Sequence, residues 1–273
     1  MADIDTGTKD LLARLDDGVL TLTLNRPDAR NAMSGEMNDA LAQQLAWAEL
    51  AREVKCVVLT GAGQGFCAGG DVKGMNSRNQ GGAAPLTLDE AIHRQRVNQR
   101  ATSGKLFKMP KPTIAALPGA AAGAGLALAL ACDLRIMART AIMTTAFARV
   151  GFAGDYGGTY FLTQLVGAAK ARELYFLSER VTAEEALRLG LTNWVCEPDE
   201  LQAQAAAIAA RLAKGPTIAY RYMKENLNRA MAGEWDECLD LEATHHVHCG
   251  QTEDHKEAAK AFVEKREPVF VGR

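Results

Sequence analysis

Residues 112–132 restrict the fold more than any other stretch: Pro-Thr-Ile-Ala-Ala-Leu-Pro-Gly-Ala-Ala-Ala-Gly-Ala-Gly-Leu-Ala-Leu-Ala-Leu-Ala-Cys. Thr113 to Leu117 is an apolar, strand-like run, broken by Pro118-Gly119. Only small residues follow from Ala120 to Gly125, and then an Ala/Leu stretch of high helix propensity. This predicts a buried strand, a turn poor in side chains, and a buried helix. The first N–H groups of such a helix lack internal partners, and the turn lets a ligand or another backbone approach them. Ile114 to Cys132 is uncharged and close to the roughly 20 residues of a membrane span. Pro118, Gly119, Gly123 and Gly125 inside it argue against a span, as do its alanine content and its charged ends, Lys111 and Asp133, with no aromatic belt. No membrane is expected as a partner.

With 273 residues the chain can form one large core, or one core with an appended segment. Its hydrophobic content of 48% is globular, and a net charge of −2 supplies no basic field for nucleic acid. The start, Met-Ala-Asp-Ile-Asp-Thr, lacks the apolar centre of a signal peptide. Cys56, Cys67, Cys132, Cys196, Cys238 and Cys249 are scattered without a C-x-x-C pair. They read as reduced thiols serving as small hydrophobes, which predicts a cytoplasmic protein.

Taken in order, Leu11 to Leu15, Asp16-Asp17-Gly18 and Val19 to Leu24 form a hairpin pattern, with Leu20, Leu22 and Leu24 on the buried face. Asn25-Arg26-Pro27-Asp28 is a turn, and Ser34 caps a helix from Gly35 to about Arg52 whose stripe is Met37, Leu41, Leu45 and Ala48. Val54 to Thr60 is a buried strand that runs into a glycine-rich loop, residues 61–71. That loop lacks the Gly-Lys-Ser/Thr ending of a phosphate-binding P-loop and the acidic partner of a dinucleotide fingerprint. Residues 75–86 read as a mobile polar loop, and Thr87 to Phe107 as one helix, with His93 solvated on it. Asp133 to Ala138 is strand-like, and Ala168 to Leu177 and Ala183 to Leu189 are short helices. Thr182 and Glu185 have the spacing of a helix start, and Asn193 to Val195 is a last short strand. From Asp199 onward the pattern is helical. The fold class is therefore α/β, divided into a core over residues 1–198 and a C-terminal helical segment over residues 199–273. His245, His246, His248 and Cys249 are clustered, but neighbouring histidines face different sides of a helix and no closed zinc spacing exists, so no metal is expected.

Three segments together resemble one family: Asn-Arg-Pro-Asp-Ala-Arg-Asn-Ala-Met (25–33), Gly-Phe-Cys-Ala-Gly-Gly-Asp-Val (65–72) and Lys-Pro-Thr-Ile-Ala-Ala-Leu-Pro-Gly-Ala-Ala-Ala-Gly-Ala-Gly-Leu (111–126). They look like the enoyl-CoA hydratase/isomerase, or crotonase, superfamily. The likeness continues through residues 154–159, 181–193 and 261–266, and so spans nearly the whole chain. It implies a spiral of ββα units, C-terminal helices that drive a homotrimer or a hexamer built from two trimers, and an acyl-CoA thioester substrate, with no cofactor beyond the coenzyme A moiety itself. It also implies that the thioester oxygen sits between the N–H groups of Gly70 and Ala124, two donors able to stabilise an enolate. Ala68 would meet the adenine end, Ala29 would line the CoA channel, and Lys73, with Phe262 and Lys265 from a neighbouring copy, would approach the phosphates and pantetheine.

The likeness also has a gap. Hydratases of this family use two glutamates, and the corresponding positions here hold Ala127 and Phe147. Neither can carry a proton. Asp155 remains, at a position where family isomerases place a catalytic aspartate, and one carboxylate suffices to move a proton between the α and γ carbons of an enolate. An Asp before Tyr-Gly-Gly-Thr also suits a helix N-cap, so both roles stand for Asp155. Arg149, Tyr156 and Tyr160 are nearby polar candidates without a role. The expected function is a double-bond shift in an acyl-CoA; atypical hydration, with water oriented by Asp155, and non-catalytic acyl-CoA binding are the alternatives.

Overall fold

A computed structural model describes residues 2–71 and 86–273. Lys73 and all of the expected polar loop except Leu86 lie outside the described residues. Among the described residues the strands form two sheets. The larger runs in the order β1 (Ala2–Ile4), β2 (Leu11–Asp16), β3 (Val19–Leu24), β4 (Cys56–Gly61), β6 (Thr113–Leu117), β8 (Leu134–Ala138), β11 (Trp194–Cys196). The smaller runs β10 (Val181–Thr182), β9 (Ile142–Thr144), β7 (Ala120–Ala122), β5 (Gly65–Cys67). The predicted hairpin is β2–β3, antiparallel from Leu11 opposite Leu24 to Asp16 opposite Val19. Beyond β3 the large sheet is parallel.

The strands alternate between the sheets along the chain. β4 enters the large sheet and β5 the small one; β6 and β7 repeat this, as do β8 and β9. The last two pairs are followed by helices, Ala124–Ala131 and, after a short 3-10 turn at Phe147–Val150, Gly158–Leu177. This is the expected α/β spiral of ββα units. The apolar patterning explains it: every residue of β4 and of β6 is buried, as for strands covered on both faces. All eight residues of Ala124–Ala131 are buried, and their small side chains suit a helix packed on every side. Leu201–Ala213, the first helix after residue 199, buries Leu201, Ala205, Ala209 and Ala213 and packs on β3, β4, β6 and β8.

Ser34 caps Gly35–Leu50 by accepting from Met37 N, and Met37, Leu41, Leu45 and Ala48 are buried as read from their spacing. The single helix expected over Thr87 to Phe107 is instead two, Leu88–Ala101 and Ser103–Lys108. Thr102, at φ −115° and ψ −89°, separates them. Thr102 Oγ1 donates to Asn98 O at 2.7 Å and Ser103 Oγ to Gln99 O at 3.1 Å, the back-bonding by which hydroxyl side chains bend a helix. The helix expected over Ala168 to Leu177 begins earlier, at Gly158, and is interrupted at Gly167, whose φ of 74° and ψ of 163° are not helical. Lys224, on Thr217–Ala230, ties the C-terminal helices to the core: its Nζ donates to Leu106 O, Lys111 O and Asp133 Oδ2 at 2.9, 3.2 and 2.8 Å. All six cysteines are free, and burial pushes the Cys56, Cys67 and Cys132 thiols up to about 12, so these three are unreactive packing groups. Among the described residues no helix is long and apolar enough to cross a membrane.

Candidate active site

The two glycine/alanine turns meet. β5 pairs with β7 in parallel, which puts residues 67–70 beside residues 121–124. The approach is close. A Cβ on Gly125 would lie 2.6 Å from Cys67 Cβ, so only glycine lets the helix start rest on β5. Gly69 has φ +90°, and a Cβ there would lie 2.8 Å from Ala122 O and 3.3 Å from Ala124 N. Thus the backbone that precedes Gly70 touches the first N–H of Ala124–Ala131. Among the described residues neither the Gly70 nor the Ala124 N–H donates to a protein acceptor. Unpaired amides, one of them at a helix N-terminus, are the kind of groups that can hold an oxygen carrying negative charge.

Residues 25–33 brace this region. Asn31 is fully buried at φ +56°; its Nδ2 donates to Ala62 O and Gly65 O at 2.9 and 2.8 Å, and its Oδ1 accepts from Arg26 N. Met33 N donates to Gly69 O and Ala68 N to Arg30 O. Ala29 and Ala68 are therefore brought close through Arg30, and Arg26 spans the mouth to Asp71 at 3.2 Å and Asp10 at 3.4 Å. Phe262 and Lys265 lie at the end of Glu253–Glu264, against the helix Trp235–Gly250 and with Phe262 exposed.

Asp155 does not cap the helix that follows it. Gly157, at φ +79°, holds the cap position of Gly158–Leu177 with no side-chain cap, and Asp155 gives only its backbone C=O, to Gly158 N at 3.0 Å. Its carboxyl is half-buried, and Oδ1 is fully buried with no hydrogen-bond partner among the described residues. Burial raises the carboxyl pKa to about 6. A carboxylate with spare hydrogen-bonding capacity and a pKa near neutrality has the properties of a proton acceptor.

The turn holding Asp155 is conformationally demanding. Gly154, Tyr156 and Gly157 all have positive φ, and for Tyr156, at 49°, this is uncommon backbone. Gln99, on Leu88–Ala101, holds it: its Oε1 accepts from Tyr156 N at 2.6 Å. Tyr156 is buried, and its phenol is pushed up to about 12 by burial, with smaller contributions from Asp155 and Cys67. The Asp155 turn thus abuts β5. Tyr160 is partly exposed and edge-on to Phe107. Arg149 and His93 are exposed.

Tyr175 joins this group although nothing in the sequence singles it out. Seventeen positions separate it from Gly158, and a straight helix would carry it about 25 Å away at 1.5 Å per residue. The break at Gly167 turns the chain back instead. A Cβ built on Gly158 would lie 2.8 Å from the Tyr175 hydroxyl and 3.3 Å from Ala127 Cβ; one on Gly154 would lie 3.4 Å from the same hydroxyl. The Tyr175 ring stacks on Phe147 with centroids 5.9 Å apart and planes 9° apart. Phe147 in turn lies beside Gly123. Ala127, read with Phe147 as a vacant glutamate position, therefore lies against Gly158 of the Asp155 turn, and Phe147 reaches that turn through Tyr175. Gln99 and Tyr175 carry no local mark in the sequence: one is a polar residue on an exposed helix, the other a tyrosine inside a longer helical run. Among the described residues no cluster of three His, Cys, Asp or Glu could hold a metal ion.

The model of the enoyl-CoA hydratase/isomerase family matches residues 14–273. The 1,2-epoxyphenylacetyl-CoA isomerase of Escherichia coli (strain K12) is 38% identical over 264 residues, covering 96% of this chain and 98% of that protein. A probable enoyl-CoA hydratase of Rhodobacter capsulatus is 36% identical over 260 residues, covering 95% and 96%. Among solved structures, a putative enoyl-CoA hydratase from Streptomyces coelicolor A3(2) superposes with a TM-score of 0.91 at 35% identity, covering 97% of this chain and 94% of that one.

Proposed function

The chain belongs to the enoyl-CoA hydratase/isomerase family, and from that premise we propose that it is an isomerase that shifts a double bond in an acyl-CoA thioester with Asp155 as its acid–base. The thioester oxygen is held by the Gly70 and Ala124 N–H groups. Asp155 removes a proton from one end of the three-carbon unit next to the carbonyl, the negative charge spreads onto the thioester oxygen, and Asp155 returns the proton at the other end. No atom is gained or lost. Removing one of two such amide donors raises a barrier by about 3 kcal/mol, so the receptor and the base are both required. The CoA moiety follows Ala29 and Ala68 toward the mouth, with Lys73, and with Phe262 and Lys265 of a neighbouring copy in a trimer or hexamer. The exposed apolar side chains Met223, Leu227, Phe262 and Val263 on the C-terminal helices support such an assembly.

The observation that carries this reading is the Asp155 carboxyl, buried at one oxygen, unpaired and raised to about 6 by burial alone, with no second acid among the causes of that shift. One carboxyl suits transfer of one proton, and the isomerase among the relatives supports the same choice. The relative named as a probable hydratase leaves water addition as the competing outcome. Incubating the protein with a 3-enoyl-CoA in deuterated water decides between them. A shifted alkene with deuterium at the exchanged carbon is expected; a hydroxyacyl product instead, or exchange that persists in Asp155→Asn, overturns the reading.

A further inference from the structure

We propose that Tyr175 is a second catalytic group, whose hydroxyl donates a hydrogen bond to an oxygen atom seated between it and Asp155. The oxygen comes either from a substituent on the acyl skeleton or from one water molecule. The inference rests on the reading of Asp155 as the base and adds a site that this reading does not need.

Five observations carry it. The break at Gly167 folds the chain so that the hydroxyl stands against Gly154 and Gly158, the glycines on either side of Asp155. A Cβ at Gly158 would lie 2.8 Å from the hydroxyl, so glycine there is what lets the hydroxyl reach this turn. The stack on Phe147 fixes the ring, which leaves the hydroxyl little freedom and pre-orients it. Burial, with a smaller contribution from the Asp155 charge, raises the phenol pKa further, so near neutral pH the group is a donor and not a base. Finally, among the described residues the hydroxyl makes no hydrogen bond, and neither does Asp155 Oδ1. Asp155 Oδ1 is buried, so leaving it unpaired is costly unless a ligand atom reaches it, and the Tyr175 hydroxyl is free to donate to that atom; phenylalanine would serve at position 175 if the ring alone mattered.

An oxygen on the acyl skeleton, such as an epoxide or carbonyl near the reacting carbons, would accept from Tyr175 as charge develops on it. A water in the same place would be held for Asp155 to activate. Both use the same donor, and they separate by product. Tyr175→Phe keeps the ring stack and deletes only the hydroxyl. Wild type and variant are compared on a plain 3-enoyl-CoA and on a ring-epoxidised phenylacetyl-CoA, in water labelled with oxygen-18. If the acyl skeleton supplies the oxygen, the loss in kcat/KM for the epoxide exceeds that for the alkene by about 10-fold or more. If water supplies it, wild type forms a labelled hydroxyacyl ester from an enoyl-CoA and the variant does not, an outcome that keeps Asp155 as the base and replaces the double-bond shift by hydration. Equal effects on the two esters, with no labelled product from wild type, overturn the proposal. So does a large fall in the variant's thermal midpoint, because that would make the hydroxyl structural; the midpoint is expected to hold or rise. Asp155→Asn is run alongside. If it still exchanges the α-proton, the base assignment fails, whatever Tyr175→Phe does.

Discussion

The two halves of the site are built differently. The proposed oxygen receptor is made of backbone: Gly70 and Ala124 would contribute amides, and their side chains would matter only by being small. Its parts come from two strand-to-turn segments that are each continuous in sequence. The carboxyl half is made of side chains, Asp155, Tyr175, Gln99 and Phe147, drawn from separate elements and brought together by the break at Gly167 and the bond from Tyr156 N to Gln99. The first half tolerates little change in backbone position. The second depends on how distant elements dock.

The contrast is sharpest when each half is broken alone. Asp155→Asn should lower turnover of a 3-enoyl-CoA by on the order of 10³-fold, within the range for losing a general acid–base, while CoA-ester affinity by calorimetry stays near wild type. The receptor should respond next most strongly. Gly69→Ala places a Cβ 2.8 Å from Ala122 O at φ +90°, which displaces the amide of Gly70. The expected loss in kcat is about 10²-fold, accompanied by weaker binding of the thioester, because a misplaced donor no longer meets the oxygen. If Gly69→Ala left kcat unchanged, the two amides would not act on the thioester.

The same contrast explains what could be read in advance. The hairpin, the helix capped by Ser34, β6 and the turn into Ala124–Ala131 follow from alternation, capping and small-residue runs, all local rules. The close approach of residues 67–70 to 121–125 follows from the same kind of rule, because Gly69 and Gly125 leave no room for a Cβ. The carboxyl half is legible at Asp155 alone, and only through its likeness to a family. Sequence leaves open whether that aspartate caps a helix, because cap preference is a local rule and what prevails here is the positive φ of Gly157, which moves the helix start past it. The split at Thr102 is by contrast local, made by hydroxyls bonding back to Asn98 and Gln99 within the same stretch. Tyr175 could not be found, since its place depends on the chain reversal at Gly167.

A base held in a half-buried, unpaired state should cost stability, and the cost should depend on pH. The Asp155 carboxyl titrates near 6 when folded and near 3.9 when unfolded. Between those values the folded chain keeps a proton that the unfolded chain has released, so stability falls as pH rises from about 4 to about 6 and the deficit is complete above that. Asp155→Asn should therefore gain about 1 to 2 kcal/mol at pH 7.5, allowing for the part of the carboxyl that water reaches, and almost nothing at pH 4. Urea unfolding at the two pH values measures this. A variant less stable than wild type at pH 7.5 would mean that the carboxylate is held by favourable contacts and is not strained. Turnover of wild type should follow the same group, rising with pH to a plateau above about 6.

The smallest expected effect tests whether the carboxyl half depends on distant docking. Gln99 touches no reacting atom in this arrangement; it accepts the Tyr156 N–H and so fixes the turn that aims Asp155. Gln99→Ala should lower kcat about 10-fold with KM nearly unchanged, since the base would sample more orientations while the amide receptor and CoA path are untouched. Gln99→Glu keeps an acceptor in the same place and adds negative charge near Asp155. It should recover most of the kcat and move the midpoint of the pH–rate profile upward, because a nearby like charge disfavours the carboxylate. A merely structural role would change stability and leave that midpoint alone. If both variants keep wild-type kcat and midpoint, the turn from Gly154 to Gly157 holds its own shape, and the carboxyl half would be as locally encoded as the receptor.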